Sequence, residues 1–208
     1  MATSALFVEL LIVGLEALVW MGLLVLCYTG PLDVVATLGK LKEWATPLTA
    51  LVFVAAYVIG ILMDRVSDTL YVALEGDPTK WRALNRIRRI FRKKRVSHSA
   101  IDKIPEMRLQ VMLESEGLAK FLDYQRSRLR IARATVLNLL LAIVAAVIYQ
   151  ITIGAGIRYR IALVVLGSFV WLLVLLATEM IDFAHLKRLS EAYDLVLKKA
   201  AAPSEVKM

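Results

Sequence analysis

Two carboxylates, Glu9 and Glu16, interrupt the first apolar run of the chain, "ALFVELLIVGLEALVWMGLLVLCY" (Ala5–Tyr28). Ionisable side chains are expensive at membrane depth and are functional-site candidates by default. Glu16 stands eleven residues beyond Ala5, near mid-bilayer by that count, and no cation shares its run. Glu9 lies seven residues earlier, on nearly the same helix face. Stacked along one stripe and repeated around a ring of protomers, the pair would make acidic collars of the kind that select cations. Four spans are too few to enclose a pore alone, so this chemistry requires a homo-oligomer. The competing chemistry is local: a Glu16 carboxyl hydrogen-bonded to Asn138, Gln150 or Ser168 of another span, or a contact with a second membrane protein. Asn138, Gln150, Thr178 and Glu179 are the polar points of the later spans, and Asn138 is placed to hold two helices together. Glu179, Asp182 and His185 lack a second ligand pair, so no metal is expected.

Cations supply the second kind of chemistry. The run "WRALNRIRRIFRKKR", Trp81–Arg95, sorts on a helix into an apolar side (Leu84, Ile87, Phe91) and a basic side (Arg82, Arg86, Arg89, Lys93). Arg92, Lys94 and Arg95 add to the charge, and Trp81 lies near the edge of the apolar stripe. This is the pattern of a helix lying among lipid headgroups, where each cation near an anionic leaflet contributes about 1 kcal/mol. No base-stacking platform or groove-reading motif accompanies it, so nucleic acid is not expected. A second basic row, Arg126, Arg130 and Arg133, precedes the third apolar run, with Arg128 beside it. Asp123 can pair with Arg126 three residues on. The row reads equally well as headgroup-binding or as a charge cluster that fixes topology.

The elements that must position these residues follow from composition. Of 208 residues 59% are hydrophobic, against about 45–50% in soluble domains, and the mean hydropathy is +0.66. The excess sits in four runs nearly free of charge, and strand-like alternation is absent between them. The expected class is all-α: a polytopic membrane protein with four transmembrane helices and a basic, helical region between spans 2 and 3. Residues 1–64 form a hairpin with spans 5–28 and 47–63. Residues 65–134 form the charged helical region, where one helix is expected from Leu118 to Ile153. Residues 135–181 form a second hairpin, spans 136–153 and 161–180, and 182–208 an amphipathic tail. The first run, of 24 residues, rises about 36 Å, enough to cross a bilayer with tilt.

Topology follows from charge. Residues 65–133 carry 17 Lys/Arg and the tail 5, against 4 (Lys40, Lys42, Arg158 and Arg160) in the two opposite loops. A ratio of 22 to 4 places both termini and the charged middle in the cytoplasm, with the chain multi-pass in the inner membrane. Residues 1–8 hold no basic side chain, so no cleaved signal is expected. The lone Cys27 excludes an internal disulfide.

No P-loop, zincin, nucleophile-elbow or Cys/His metal pattern is present, so neither an enzyme nor a cofactor is expected. Two function classes remain. One is a homo-oligomeric ion channel or gated pore lined by Glu9 and Glu16. The other is a non-conducting scaffold or sensor subunit that docks a soluble cytoplasmic effector, in stress or defence signalling, on its charged helices. The lipid bilayer and its anionic headgroups are partners in both.

Overall fold

A computed structural model of the chain describes residues 2–30, 45–76 and 116–201, together with Met107, Leu109, Val111 and Leu113. These residues form helices and the turns between them. Four helices dominate: α1 (Ala2–Thr29), α2 (Ala45–Gly76), α3 (Glu116–Thr152) and α4 (Ile157–Ala201). Each is long and apolar enough to cross a membrane, and the chain is a multi-pass membrane protein by helix length and hydropathy. At 28, 32, 37 and 45 residues, all four exceed the roughly 20 that a bilayer requires. The surplus is largest in α3 and α4, whose ends carry the charged sequence.

Helix ends follow local chemistry. Gly30 takes a φ of 81° just past α1, and its N–H reaches Leu26 O at 3.0 Å, a left-handed cap that a side chain would strain. α2 runs past the apolar block through "DRVSDTLYVAL" and ends at Gly76, one residue short of Asp77-Pro78. Gly154, φ 69°, turns the chain between α3 and α4. α4 is unbroken from span into tail. Hydropathy falls after Met180, but Trp171, Leu175, Thr178, Asp182, His185, Leu189, Ala192 and Val196 keep one alternating four-three spacing throughout.

The chain divides into two compact units, residues 1–77 with 130–178 and residues 78–129 with 179–208. In the first, Val13, Ala17, Met63 and Ala134 are buried together, with Trp20, Ile59, Leu137 and Leu141 packed around them. α1 and α2 touch backbone to backbone. A methyl group added at Gly14 would stand 1.6 Å from Ala56 O, and one at Gly60 would stand 1.9 Å from Leu10 O. Lipid gives helices no hydrophobic reason to associate, so close approach at small residues carries the packing energy. On α4, Gly167 lets the helix close on Ile143 of α3, and Trp171 donates its indole N–H to Val136 O at 3.0 Å.

The second unit has an ordinary apolar core: Val111, Leu122, Leu189, Ala192 and Val196, with Leu118 and Tyr193 against it. Leu118, Leu122, Gln125 and Leu129 recur at four-three-four spacing on α3; the first two pack with the α4 row of Leu189, Ala192 and Val196, and Gln125 and Leu129 are buried as well. Arg188 lies over the Phe121 ring at 5.3 Å, and Arg128 over Tyr124 at 5.9 Å.

Candidate functional site

Polar side chains on the spans of the first unit gather at two places that adjoin along α3. The first is built around Asn138, which is 2% exposed. Its amide nitrogen donates to Val13 O at 3.0 Å and to Glu16 Oε2 at 3.3 Å, and its oxygen accepts from Trp20 Nε1 at 3.3 Å. Thr135 donates to Glu16 Oε1 at 2.9 Å. Both carboxylate oxygens of Glu16 are thus hydrogen-bonded to α3 of the same chain, and Asn138 uses both donor hydrogens and its acceptor. A network this well satisfied joins α1 to α3 without leaving a bare polar atom in hydrocarbon.

The second cluster is ionic. Arg130 sets its guanidinium fork on Asp64, Nε to Oδ1 at 3.0 Å and the second nitrogen on Oδ2. The Asp64 side chain is 9% exposed and that of Arg130 28%. Arg133 reaches Asp68 at 3.3 Å and also lies over the Tyr71 ring at 5.0 Å. The charges of Asp68 and Glu9 both act on Arg130. Ser67, buried between the two aspartates, satisfies its hydroxyl on Asp64 O at 2.9 Å. Two carboxylates therefore pair with two arginines where α2 leaves its apolar block and α3 enters one. Arg–carboxylate pairing of this geometry is bidentate and charge-assisted. Removing one partner of such a buried pair costs several kcal/mol.

Thr135, the donor to Glu16, stands two residues beyond Arg133 on α3, a rise of about 3 Å, so the two clusters adjoin along that helix.

Of the three partners weighed for Glu16, Asn138 is the one that bonds it among the described residues; Ser168 is exposed on α4. Gln150, near the far end of α3, has its Oε1 buried without a hydrogen-bond partner. Glu179 is buried, at 7% exposure, in the second unit. Arg126 is exposed, while Arg130 and Arg133 turn to carboxylates. Trp81, Arg82, Arg86, Arg89, Arg92, Lys93, Lys94 and Arg95 lie outside the described residues. Among the described residues no three His, Cys, Asp or Glu side chains converge as a metal site would require.

Sequence reasoning missed Thr135, Trp20, Asp64, Asp68 and Tyr71 as members of these clusters. A signal existed for the aspartates: acids at i and i+4 end the second span and arginines at i and i+3 begin the third. Charges of opposite sign at the same ends of two spans are candidates for pairing. No family model, curated protein or solved structure matches the chain.

Proposed function

We propose that the protein is a non-conducting membrane scaffold that carries a charged helical region for a soluble effector to dock on. The observation that carries this reading is the engagement of Glu16, whose two oxygens are both taken up by Thr135 and Asn138 of its own chain. A carboxylate held in this way ties helices together and is poorly disposed to coordinate a passing ion. The negative charge of Glu9 adds to the field on Arg130 within the same unit. The length of α3 and α4 supports the same reading. At 37 and 45 residues they extend about 17 and 25 residues beyond what a span needs, and their charged parts hold Tyr124, Arg128, Phe121 and Arg188 at the surface. The charge ratio of 22 to 4 supports a cytoplasmic position for these helices.

The test is purification from native membranes followed by reconstitution. The scaffold reading expects a stoichiometric soluble protein that dissociates when Arg128 and Arg188 are replaced by Glu, and no ion flux through the proteoliposomes. Flux without such a partner overturns it.

A second reading, a homo-oligomeric pore lined by Glu9 and Glu16, is favoured by one observation: both glutamates retain partial exposure within a single chain. It predicts cation flux that Glu16→Gln alters.

A further inference from the structure

Arg158 and Arg160 stand where cations are least expected. They occupy the first turn of α4, which holds no acid, so they sit at the positive end of that helix's dipole. They also belong to the minority side of the 22-to-4 charge ratio. Arg130 and Arg133, at the other end of the same spans, are answered by Asp64 and Asp68. Beyond that ionic cluster the described residues of the first unit (17–30, 45–63 and 134–178) contain no Asp or Glu to answer the second pair. Arg158 is exposed, and the half-buried Arg160 has a buried Nε without a hydrogen-bond partner among the described residues.

Length says what lies beside them. From Ala134, just past Arg133, to Thr152, α3 has 19 residues and rises about 28 Å, close to the roughly 30 Å of a bilayer's hydrocarbon. A span of that length brings the turn between α3 and α4 out among headgroups. The aromatic residues agree. Tyr159, between the two arginines, is 71% exposed. α1 runs the same way as α3, with Glu9 acting on Arg130 and Trp20 bonded to Asn138, so its Tyr28, 93% exposed, closes the same end. Tyrosine is enriched at membrane boundaries. We infer that Arg158 and Arg160 hold phosphodiester groups of lipid headgroups in the leaflet at the α3–α4 turn, with Tyr28 and Tyr159 beside them. The phosphates supply the negative charge that this end of the unit lacks. This inference stands apart from the proposed function, since either a scaffold or a pore can be anchored to lipid at this turn.

The experiment counts tightly held lipids on the full chain by native mass spectrometry. The delipidated protein is titrated with phosphatidylglycerol, phosphatidylethanolamine or phosphatidylcholine, which share the phosphodiester. Arg160→Gln is expected to weaken retention of phosphatidylglycerol about five-fold, the worth of one cation at a lipid surface, and that of the other two in the same direction. Adding Arg158→Gln weakens it further. Arg160→Lys, which keeps the charge, retains most of the binding, and circular dichroism checks that each variant is folded. Lys187→Gln, which removes an exposed cation of the second unit, leaves retention unchanged. Retention unaltered by the two Gln substitutions together overturns the inference. So does an equal loss from Lys187→Gln, which would make the effect one of total charge. Asp33 and Glu43 are the acids of residues 31–44. Retention that rises when they are replaced by Asn and Gln also overturns the inference, by assigning the arginines to those acids.

Discussion

Asp64→Asn and Arg130→Met test the ionic cluster from its two sides. The pair is mostly buried and bidentate, and its partners are 66 positions apart in the chain, so it closes the region between the second and third spans. Breaking a buried pair by removing one partner costs about 3–5 kcal/mol, because the remaining charge is left without compensation. The two deletions are not equivalent here. Without Asp64, Arg130 still feels Asp68 and Glu9. Without Arg130, Asp64 loses the guanidinium that holds both its oxygens, while Asp68 keeps Arg133. Arg130→Met is therefore expected to cost the upper end of that range, about 4–5 kcal/mol, and Asp64→Asn about 2–3 kcal/mol, because part of the compensation survives. The double variant removes the stranded charge, so it should be less harmful than the sum, with a coupling of about 2 kcal/mol. Reversible unfolding in mixed micelles, followed by circular dichroism, measures all three. The exposed Lys187–Glu191 pair is the control, and its removal should cost under about 0.5 kcal/mol. Additive losses of less than 1 kcal/mol for Asp64→Asn and Arg130→Met would refute the reasoning.

Substituted glycines test the helix crossing. Gly14→Val and Gly60→Val place carbon against backbone that cannot yield, and both should prevent stable folding as judged by detergent-extracted yield and melting. Gly22→Ala and Gly117→Ala meet nothing within 4 Å and should be neutral, while Gly167→Ala meets the branched Ile143 side chain at 2.9 Å and should cost an intermediate amount. Asn138→Leu removes three hydrogen bonds, which at about 0.6 kcal/mol each within membranes predicts a loss of about 2 kcal/mol in the same assay. Thr135→Val takes away one donor of Glu16 and should cost about 1 kcal/mol or less, with secondary structure unchanged.

How much of this was legible in the sequence depends on the length scale of the signal. The spans were plain, since runs such as "VLNLLLAIVAAVIYQITI" have no reading as soluble structure, and the end of α2 at Glu75-Gly76-Asp77-Pro78 was marked by its own residues. The helical crossing was not, because Ala56-x-x-x-Gly60 and the single Gly14 are common patterns, and only the packed backbones show that they meet. Glu16 was conspicuous as a charge in an apolar run, yet its role is decided by Thr135 and Asn138, 119 and 122 positions away. Arg130 and Arg133 resembled the neighbouring exposed arginines in sequence, and only Asp64 and Asp68 distinguish them. The continuity of α4 was hidden by a change in hydropathy that leaves its helical period intact.

The central claim is that Glu16 faces a neighbouring helix of its own chain and not a water-filled path. Substituted-cysteine accessibility along α1 tests it most directly, since a thiol reacts with a charged, membrane-impermeant methanethiosulfonate only where water allows it to ionise. In a Cys27→Ser background, Glu16→Cys is predicted to react as slowly as Val19→Cys, whose native side chain is 60% exposed to whatever surrounds the bundle. Rapid modification at Glu9→Cys and Glu16→Cys, with Val19→Cys protected, would contradict the account and restore a conducting path along that stripe.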